Sequence, residues 1–401
     1  MLYAKSNPQE SIWEHTSRLL QGLDTLRIGY GAQINVDDSF WELLRLAVHL
    51  HDFGKANSLF QNKIRRLLGE PELPCLLPPE DEIPHNYVSI ALIPYSQLQL
   101  AEEEWKLLVY AVGYHHERNI EADRKQIQQY VQQTIPHELL MELFAQMQWP
   151  YEPEKPSNRL LEWLRKRKEA SDALKYDSVL FRRYVLLKGL LHRLDHAASA
   201  HVEVETGIDE DAGQKSRAFV ERRYQLRPAQ QFAVASSNRH AIMVASTGSG
   251  KTEAALMWAG SDKLFMTLPL RVSLNAMYDR LRNSANVGLH SLGLLHSGSF
   301  DYLFDKDALD AEESYRISRQ LSHKVTLTTI DQILKFPFLY RGFEKELATM
   351  AYSKLVIDEI QAYDPNIAAM LVKALEMVAK MGGKFMVMTA TLPQIYLENL
   401  S

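Results

Sequence analysis

The stretch Ala245-Ser-Thr-Gly-Ser-Gly-Lys-Thr252 lies between an apolar run, Ala241 to Val244, and a helix-forming run, Glu253 to Trp258. This order predicts a strand, a glycine-rich loop and a helix, which is the layout of a nucleoside triphosphate site. The backbone N–H groups of such a loop point inward and hold phosphate oxygens at the N-terminus of the helix. We therefore expect an ATP site here; the alternative is a chance Gly/Ser loop.

Each residue type in this loop has its own expected task. Lys251 would reach the β and γ phosphates, and Thr252 would ligate Mg²⁺. Gly248 and Gly250 would supply the backbone conformations and the close approach that phosphate binding needs. Ala245 stands where the usual pattern begins with Gly. The ATP-binding residues predicted from the loop are Thr247, Gly248, Ser249, Gly250, Lys251 and Thr252.

The residues around the loop predict two fold classes in one chain. From Gln225 onward, short apolar runs alternate with helical patterns, which predicts a parallel α/β sheet. Residues from about Gln9 to Ala200 are mostly helical in pattern. We therefore expect a multidomain protein, all-α at its N-terminus and α/β after it. The predicted strands are Ala241–Ala245, Lys263–Thr267, Val325–Thr328, Lys354–Ile357 and Phe385–Met388.

Composition narrows the class of protein. The chain has 401 residues, 46% hydrophobic and 24% charged, as in an ordinary soluble globular protein. The single cysteine, Cys75, argues against a disulfide framework and suits a reducing compartment. No apolar run reaches the roughly 20 residues that span a bilayer, and no signal peptide is evident, so we expect a cytoplasmic protein with no membrane partner. The net charge of −5 is not that of a generic nucleic-acid binder, so DNA contacts would come from local basic grooves.

A second cluster of chemically active residues lies far upstream, in His49-Leu-His-Asp-Phe-Gly-Lys55. His51 and Asp52 are adjacent at the end of an apolar helix, where they can bind metal together with residues of other helices. Imidazole and carboxylate ligands suit Mn, Fe, Co, Ni or Zn, which provide Lewis-acid and water activation. Further candidate ligands in similar settings are His15, His85, His115, His116 and Asp195.

A structural explanation competes for each of these histidines. A lone His near a helix end is usually a cap or a satisfied surface group, and we assign His49, His137, His192, His196 and His201 to that class. The ordered set is harder to obtain by chance, because an HD pair is followed by Gly-Lys, a later His, a His-His pair and a terminal Asp. That set favours a metal site, in which Lys55 either stabilises a phosphate or simply caps its turn.

The run His51-Asp-Phe-Gly-Lys55 with its flanking ligands resembles the HD phosphohydrolase/nuclease superfamily. An HD domain followed by a superfamily 2 DExD/H-box helicase domain resembles the CRISPR-associated helicase–nuclease of type I systems. The resemblance implies a RecA-like fold for the α/β domain and a divalent transition metal (Mn, Ni, Co, Fe or Zn) in the HD site. It implies catalytic roles for His51, Asp52, Lys55 and Glu359. The implied metal ligands are His15, His51, Asp52, His85, His115, His116 and Asp195.

Leu355-Val-Ile-Asp-Glu-Ile-Gln361 supplies the second half of the expected ATP site. A buried strand would deliver Asp358 and Glu359 at its carboxyl edge, where α/β folds place active sites. Asp358 would hold Mg²⁺ through water, and Glu359 would orient and deprotonate the attacking water. The alternative is an acidic strand-end turn. Gln361 departs from the more usual His of this motif.

Other segments resemble helicase motifs more weakly. Leu226-Arg-Pro-Ala-Gln230 resembles the Q motif, in which Gln230 would hydrogen-bond adenine, although a polar helix N-terminus explains it equally well. Met388 to Pro393 resembles motif III, which links the ATP site to DNA movement. Small polar residues after a strand are common in any α/β sheet. The DNA-contacting residues implied by the remaining motifs are Pro269, Arg271, His296, Thr328 and Asp331.

The domain limits follow from these motifs. The segment His201 to Lys215 is polar and acidic, and we place an HD domain at 1–205, a linker at 206–220 and a first RecA-like domain at 221–401. The sequence stops just past motif III, and a superfamily 2 helicase needs a second RecA-like domain with its arginine finger. We therefore expect a fragment, or a chain whose C-terminal helicase domain is separate, with weak ATPase activity alone.

The resemblance implies a metal-dependent single-stranded DNA endonuclease coupled to an ATP-dependent, Mg-dependent helicase or translocase. Its implied partners are single-stranded DNA and a CRISPR surveillance (Cascade-type) complex, and its implied role is antiviral defence by nicking and 3′-to-5′ degradation of foreign DNA. One alternative is an HD phosphohydrolase acting on nucleotides, with the ATP-binding domain as regulator. The other is non-enzymatic: an ATP- or DNA-binding scaffold, or the target of an inhibitor that blocks recruitment.

Overall fold

The computed structural model describes residues 1–116, 121–165 and 178–391. Contacts divide the chain into two compact units, one of Met1–Asp24 with Val36–Ser199 and one of Thr25–Asn35 with Ala200–Ser401. The expected order of a helical domain followed by a parallel-sheet domain is confirmed. Among the described residues, no helix is long and apolar enough to cross a bilayer.

The first unit opens with an antiparallel hairpin that the sequence analysis missed, because helices were expected from Gln9 onward. Strand β1 (Tyr3–Ser6) pairs with β2 (Gln9–Ser11), and the two are too short and too polar to show an alternating pattern. The Gln61 amide binds the open edge of β1, since its Oε1 accepts from Tyr3 N and its Nε2 donates to Tyr3 O, both at 2.9 Å.

Helices make up most of the rest of this unit. Helix α2 shows why they form: Asp37 caps its first turn by accepting from Phe40 N, and its apolar face is buried. Short 3₁₀ turns span Phe53–Ala56 and Pro79–Asp81. Among the described residues, the α-helices that lie in this unit, α1 only up to Asp24, are α1 (Ile12–Ile34), α2 (Asp38–Leu50), α3 (Ser58–Leu68), α4 (His85–Ala91), α5 (Glu102–Gly113), α6 (Arg124–Thr134), α7 (His137–Gln146), α8 (Asn158–Arg165) and α9 (Val179–Ser199).

The second unit alternates strands and helices, as expected. Its elements are α10 (Ala212–Glu221), α11 (Pro228–Ala235), β3 (Ala241–Val244), α12 (Lys251–Ala259), β4 (Lys263–Thr267), α13 (Arg271–Arg282), β5 (Leu292–Leu295), α14 (Ser299–Lys306), α15 (Ala308–Arg319), β6 (Val325–Thr328), α16 (Ile330–Ile333), α17 (Phe343–Met350), β7 (Ser353–Asp358), α18 (Pro365–Met381) and β8 (Lys384–Thr389). The 3₁₀ turns Phe336–Phe338 and Ile360–Ala362 complete the set.

The six strands form one parallel sheet in the order β3-β8-β7-β4-β6-β5. Strand β5 was not predicted, and it lies at the edge of the sheet beside β6. The register aligns the last residues of neighbouring strands, such as Val244 with Thr389 and Thr267 with Thr328. Because parallel strands end at the same edge, the loops that follow them meet there. This edge carries the nucleotide site.

Residues 206–220, which the sequence analysis assigns to a linker, include helix α10. The Gly213 N–H donates to Gly260 O at 3.1 Å, and the Ser216 hydroxyl donates to Glu253 O at 3.2 Å. These bonds attach α10 to helix α12 and its C-terminal end. The domain limits drawn from the sequence remain a prediction.

Candidate metal centre and nucleotide site

The seven expected metal ligands of the first unit come from five different helices or their ends. The potential ligand atoms of His15, His51 and Asp52 lie within 4.8 Å of one another, and those of His85, His115 and His116 form a second group of the same size. All of these side chains are buried except that of His116, which is half-buried. Asp195 of α9 completes the cluster, with its Oδ1 at 3.1 Å from His15 Nε2.

The Asp52 carboxylate lies between the two groups. Its Oδ2 is 3.3 Å from His51 Nε2 and 3.6 Å from His15 Nε2, while its Oδ1 is 3.3 Å from His85 Nε2. On the far side, His85 Nε2 and His116 Nε2 are 3.0 Å apart. One carboxylate therefore has an oxygen near each ligand group, which is an arrangement suited to holding one or two cations.

Backbone carbonyls fix the tautomer of two of the imidazoles. His51 Nδ1 donates to Val48 O at 2.7 Å, and His115 Nδ1 donates to Val112 O at 2.6 Å. In a neutral ring the opposite nitrogen, Nε2, then carries a lone pair. Both Nε2 atoms are buried and make no hydrogen bond with the described residues. Because buried polar atoms are normally satisfied, these two lone pairs indicate that a metal ion fits here.

Electrostatics favour the ligand form of His115, His116 and Asp52. At His15, by contrast, burial is outweighed by neighbouring carboxylates, Asp195 foremost, which raise the pKa. Burial holds the pKa of His115 well below its usual range and lowers the pKa of His116 to about 4, so both rings stay neutral. Burial acts to raise the pKa of the Asp52 carboxyl, but its neighbours, Lys55 and His85 among them, outweigh it and hold that pKa well below its usual range. Neutral imidazoles and an ionised carboxylate are the states that bind metal without first losing a proton.

The structure shows why Gly-Lys follows the HD pair. A Cβ on Gly54 would lie 2.0 Å from His85 O, so only glycine allows α4 to begin this close to the 3₁₀ turn. The Ser89 hydroxyl bridges the same contact, donating to His51 O and accepting from Gly54 N, each at 2.8 Å. Lys55 Nζ donates to Asp52 Oδ2 at 2.7 Å, so its ammonium lies beside the ligands.

Glu10 is a supporting residue that the sequence analysis missed. Its side chain is only 2% exposed and approaches His15 Nδ1, the nitrogen facing away from the ligand cluster, at 3.6 Å. Arg18 donates to the same carboxylate oxygen. Carboxylates placed behind a ligating histidine orient its ring and raise its basicity. The hairpin that carries Glu10 was itself not predicted, so the sequence held no signal for it.

In the second unit, the glycine-rich loop has the backbone that phosphate binding requires. Gly248 has φ +79° and Gly250 has φ +85°, and a Cβ on Gly250 would lie 2.6 Å from Gln230 Nε2. Thr247 is exposed, whereas Ser249 and Thr252 are half-buried. Lys251 follows as the first residue of α12, with its side chain largely buried.

The two acidic residues expected at the end of β7 lie opposite this loop. Glu359 Oε1 is 3.2 Å from Lys251 Nζ, which joins the two halves of the predicted ATP site directly. Asp358 Oδ1 accepts from Glu359 N at 2.9 Å, and burial raises the pKa of the Asp358 carboxyl to about 6. Gln361 donates to Glu359 and accepts from Thr389, so it connects the β7 motif to the end of β8. Leu392 and Pro393 of the predicted motif III lie outside the described residues.

Gln230 behaves as a helix cap in this structure. Its Oε1 accepts from Arg227 N at 3.0 Å, which is the polar helix start that the sequence left as an alternative. Its side chain is 3% exposed and touches the loop at Gly250, so it also lies beside the expected nucleotide. Adenine recognition by Gln230 stays a prediction.

The five residues expected to contact DNA differ in exposure. Arg271 and Asp331 are exposed, and Pro269 is half-buried. His296 is 4% exposed, with its Nε2 at 2.8 Å from Asn275 Oδ1. Thr328 is fully buried, because it ends an internal strand, and its hydroxyl donates to Leu295 O at 2.8 Å. Thr328 therefore presents no side-chain surface to DNA in this structure.

Each of the two parts of the chain matches the model of a known protein family. Residues 12–202 match the model of the Cas3 HD domain, and residues 227–400 match the model of the DEAD/DEAH box helicases. The chain carries a Cas3 HD domain followed by a DEAD/DEAH box helicase domain. These matches account for the buried His/Asp cluster in the first unit and for the glycine-rich loop in the second.

Two curated relatives have the same pair of activities in their names. The CRISPR-associated nuclease/helicase Cas3 of Methanothermobacter thermautotrophicus is 31% identical over 284 residues, which cover 67% of this chain and 33% of that protein. The CRISPR-associated endonuclease/helicase Cas3 of Escherichia coli is 33% identical over 179 residues, which cover 38% of this chain and 20% of that protein. The chain thus matches a third or less of the length of these relatives.

Solved structures share the fold. The T. fusca Cas3–ATP crystal structure matches with a TM-score of 0.61 and 17% identity, over 100% of this chain and 51% of that one. A chain of a CRISPR RNA-guided surveillance complex in a pre-nicking state matches with a TM-score of 0.57 and 17% identity, over 100% of this chain and 48% of that one. At this level of identity the likeness shows the fold.

Proposed function

We propose that the HD domain is a metal-dependent single-stranded DNA nuclease and that the helicase domain is the first half of an ATP-driven motor that feeds it. In this proposal the protein is recruited by a CRISPR surveillance complex, nicks the displaced strand and degrades it, in the cytoplasm. The names of the relatives support the nuclease–helicase pairing. The structural likeness to a chain of a surveillance complex supports the choice of partner.

The observation that carries the nuclease proposal is the pair of buried lone pairs on His51 and His115. His51 Nε2 faces Asp52 Oδ2 at 3.3 Å without hydrogen-bond geometry, so two acceptors meet in a buried space. Such a contact is unfavourable by itself and favourable with a cation between the atoms. A buried histidine that served only the fold would instead donate to a partner.

A divalent transition metal at this place would supply Lewis-acid activation of water and of the phosphodiester. His15, His51, Asp52 and Asp195 would hold one ion, and the group of His85, His115 and His116 favours a second. Lys55 lies beside Asp52, where its positive charge would also attract a phosphate oxygen of the substrate. The catalytic roles of His51 and Asp52 then follow from their places as ligands.

The helicase domain contributes ATP binding in this proposal. Lys251 and Thr252 would hold the phosphates and Mg²⁺, Asp358 would bind Mg²⁺ through water, and Glu359 would act as the base. In this structure Glu359 is paired with Lys251. An incoming γ-phosphate would compete for the Lys251 ammonium and so release the Glu359 carboxylate for its catalytic task.

A polypeptide of these 401 residues alone should turn ATP over slowly. Superfamily 2 motors complete the ATP site with an arginine finger from a second RecA-like domain, which is worth several orders of magnitude in rate. We expect weak ATP binding that Lys251→Ala abolishes, and little DNA-stimulated turnover. Fast DNA-stimulated hydrolysis by these residues alone would contradict this part of the proposal.

The rival function is hydrolysis of nucleotides by the HD domain, with ATP as a regulator. A panel of circular single-stranded DNA, double-stranded DNA, deoxynucleoside triphosphates and cyclic nucleotides, each with the same metal, separates the two. The proposal expects cleavage of circular single-stranded DNA and no phosphate release from the nucleotides. Turnover of a nucleotide with intact DNA would favour the rival. Lys251→Ala, which leaves the HD domain untouched, serves as the control for contributions of the ATP site.

A further inference from the structure

Three successive large side chains are exposed in the helicase domain between β6 and α17. Phe338 is 56% exposed, Leu339 49% and Tyr340 63%. Phe336, at the start of the same 3₁₀ turn, is fully buried and anchors the turn in the core of the domain. Leu339 has φ +48°, which ends the turn. A run of exposed apolar residues costs solubility and is rarely kept without a binding role.

The two aromatic rings of this run lie side by side. The ring centroids of Phe338 and Tyr340 are 5.4 Å apart, and the ring planes differ by 32°. Each ring keeps more than half of its surface exposed. Paired, exposed aromatic rings of this kind are the platforms on which bases of single strands stack, since every base offers a π face.

Basic residues flank the rings. Lys335 precedes them with a side chain that is 52% exposed, and Arg341, also exposed, follows them. Glu346, which lies 3.7 Å from Lys335, is only 14% exposed. The charged residues within Lys335–Arg341 are both positive, so the segment complements a polyanion better than it complements an apolar protein face.

The segment with the Phe338 and Tyr340 rings follows a strand next to β4 in the sheet. It follows β6, whose last residue pairs in register with the last residue of β4. After β4, the exposed residues Leu270, Arg271 and Val272 form the N-cap and the first turn of α13 at the carboxyl edge of the sheet. The chain that leads through α16 to the rings thus leaves the sheet beside this exposed segment, on the edge where the nucleotide site is found.

We propose that Phe338 and Tyr340 stack on bases of single-stranded nucleic acid while Lys335 and Arg341 contact its phosphates. This inference rests on the proposed function, because it names a binding surface for the same strand. It goes beyond the motif residues expected from the sequence, none of which is Phe, Tyr or Trp. Sequence preference should be weak, because stacking tolerates every base.

The test is the binding of labelled oligothymidylate to the full chain, in EDTA so that no cleavage occurs, beside an abasic oligomer of equal length. Phe338→Ala or Tyr340→Ala should weaken oligothymidylate binding about 5- to 150-fold, from roughly 1–3 kcal/mol per stacked base. Tyr340→Phe should bind like wild type because it keeps the ring. Tyr224→Ala, which removes an aromatic side chain that is 69% exposed elsewhere in the domain, should have no effect.

The abasic oligomer distinguishes stacking from other causes. It should bind the wild type and both alanine variants equally, because it has phosphates and no bases. Equal weakening for both oligomers would mean that the rings support the fold or the phosphate contacts, and would overturn the proposal. Unchanged DNA binding by folded alanine variants would also overturn it and point to protein docking. If the wild type bound no single strand at all, the proposed function would fail as well.

Discussion

Replacement of Glu205 by Ala should destabilise the helicase domain, because Glu205 is half of a buried ion pair. Lys263 Nζ, at the first residue of β4, donates to Glu205 Oε2 at 2.5 Å and to His323 O at 2.8 Å. The Tyr352 hydroxyl donates to Glu205 Oε1 at 2.6 Å. The side chains of Glu205 and Lys263 are both fully buried. The pair attaches the residues before the predicted linker to the start of the sheet.

The size of the effect follows from what Glu205→Ala leaves behind. The Lys263 ammonium would lose its carboxylate while it stays buried, and the Tyr352 hydroxyl would lose the Glu205 oxygen to which it donates. Removal of one partner of a buried pair costs about 3–5 kcal/mol. Removal of both charges costs far less stability. The free energy of unfolding of the double variant Glu205→Ala with Lys263→Met should therefore lie within about 2 kcal/mol of the wild-type value.

Hydrogen exchange of the full chain measures this change in one domain at a time. In Glu205→Ala, amides of β4 and β7 should exchange about 100-fold faster or more, which corresponds to the expected loss in free energy. Amides of α2 and α5 in the other unit should keep their rates. Unchanged exchange of β4 in Glu205→Ala, or a double variant less stable than the single one, would refute the reasoning.

Three further changes have defined outcomes. Glu10→Gln, which removes the carboxylate near His15, should lower Mn²⁺ affinity about 10- to 100-fold by calorimetry, and an unchanged affinity would separate Glu10 from the metal centre. Gly250→Ala adds a Cβ 2.6 Å from Gln230 Nε2 at a φ of +85°, so binding of a fluorescent ATP analogue should weaken about 5- to 150-fold; normal binding would contradict the assigned backbone. Burial lowers the pKa of His323 to about 4, and an unfolded chain takes up this proton near pH 6.5. The unfolded state therefore binds more protons between these values, and helicase-domain stability should fall by up to about 3 kcal/mol from pH 6.5 to 4. Denaturant unfolding of His323→Leu should lose that part of the pH dependence, and an unaltered profile would show that other groups cause it.

The sheet domain could be predicted from local patterns to a large extent. Strands such as Lys263–Thr267 are apolar, short and bounded by turn residues, so these local features were enough to predict them. Strand β5 escaped because Leu292-Gly-Leu-Leu295 is too short to tell from part of a helix and contains a glycine. The hairpin β1–β2 was not predicted because its strands are short and polar, and because the Gln61 amide that binds its edge is distant in sequence.

The candidate metal centre could likewise be predicted only in part. Residue types and their order along the chain were enough to name His15, His51 and Asp52 as candidate ligands, and the structure brings these three side chains together. Their grouping needed the tertiary structure, since the central position of Asp52 depends on helices that are distant in sequence. The buried Glu10 had no signal at all, because a glutamate in a polar segment is ordinarily a solvated surface residue.

The central claim is that the HD domain is an autonomous metal-dependent DNase, and cleavage of circular single-stranded DNA tests it most directly. The full chain is stripped with EDTA and supplied with Mn²⁺, Ni²⁺, Co²⁺ or Mg²⁺ in the absence of ATP. His51→Ala and Asp52→Ala are compared with His137→Ala, which removes an exposed histidine outside the cluster. We predict cleavage with a transition metal that both ligand variants lose and His137→Ala keeps. Cleavage that survives in folded His51→Ala and Asp52→Ala, or none with any metal by a folded chain that binds metal, would contradict the account.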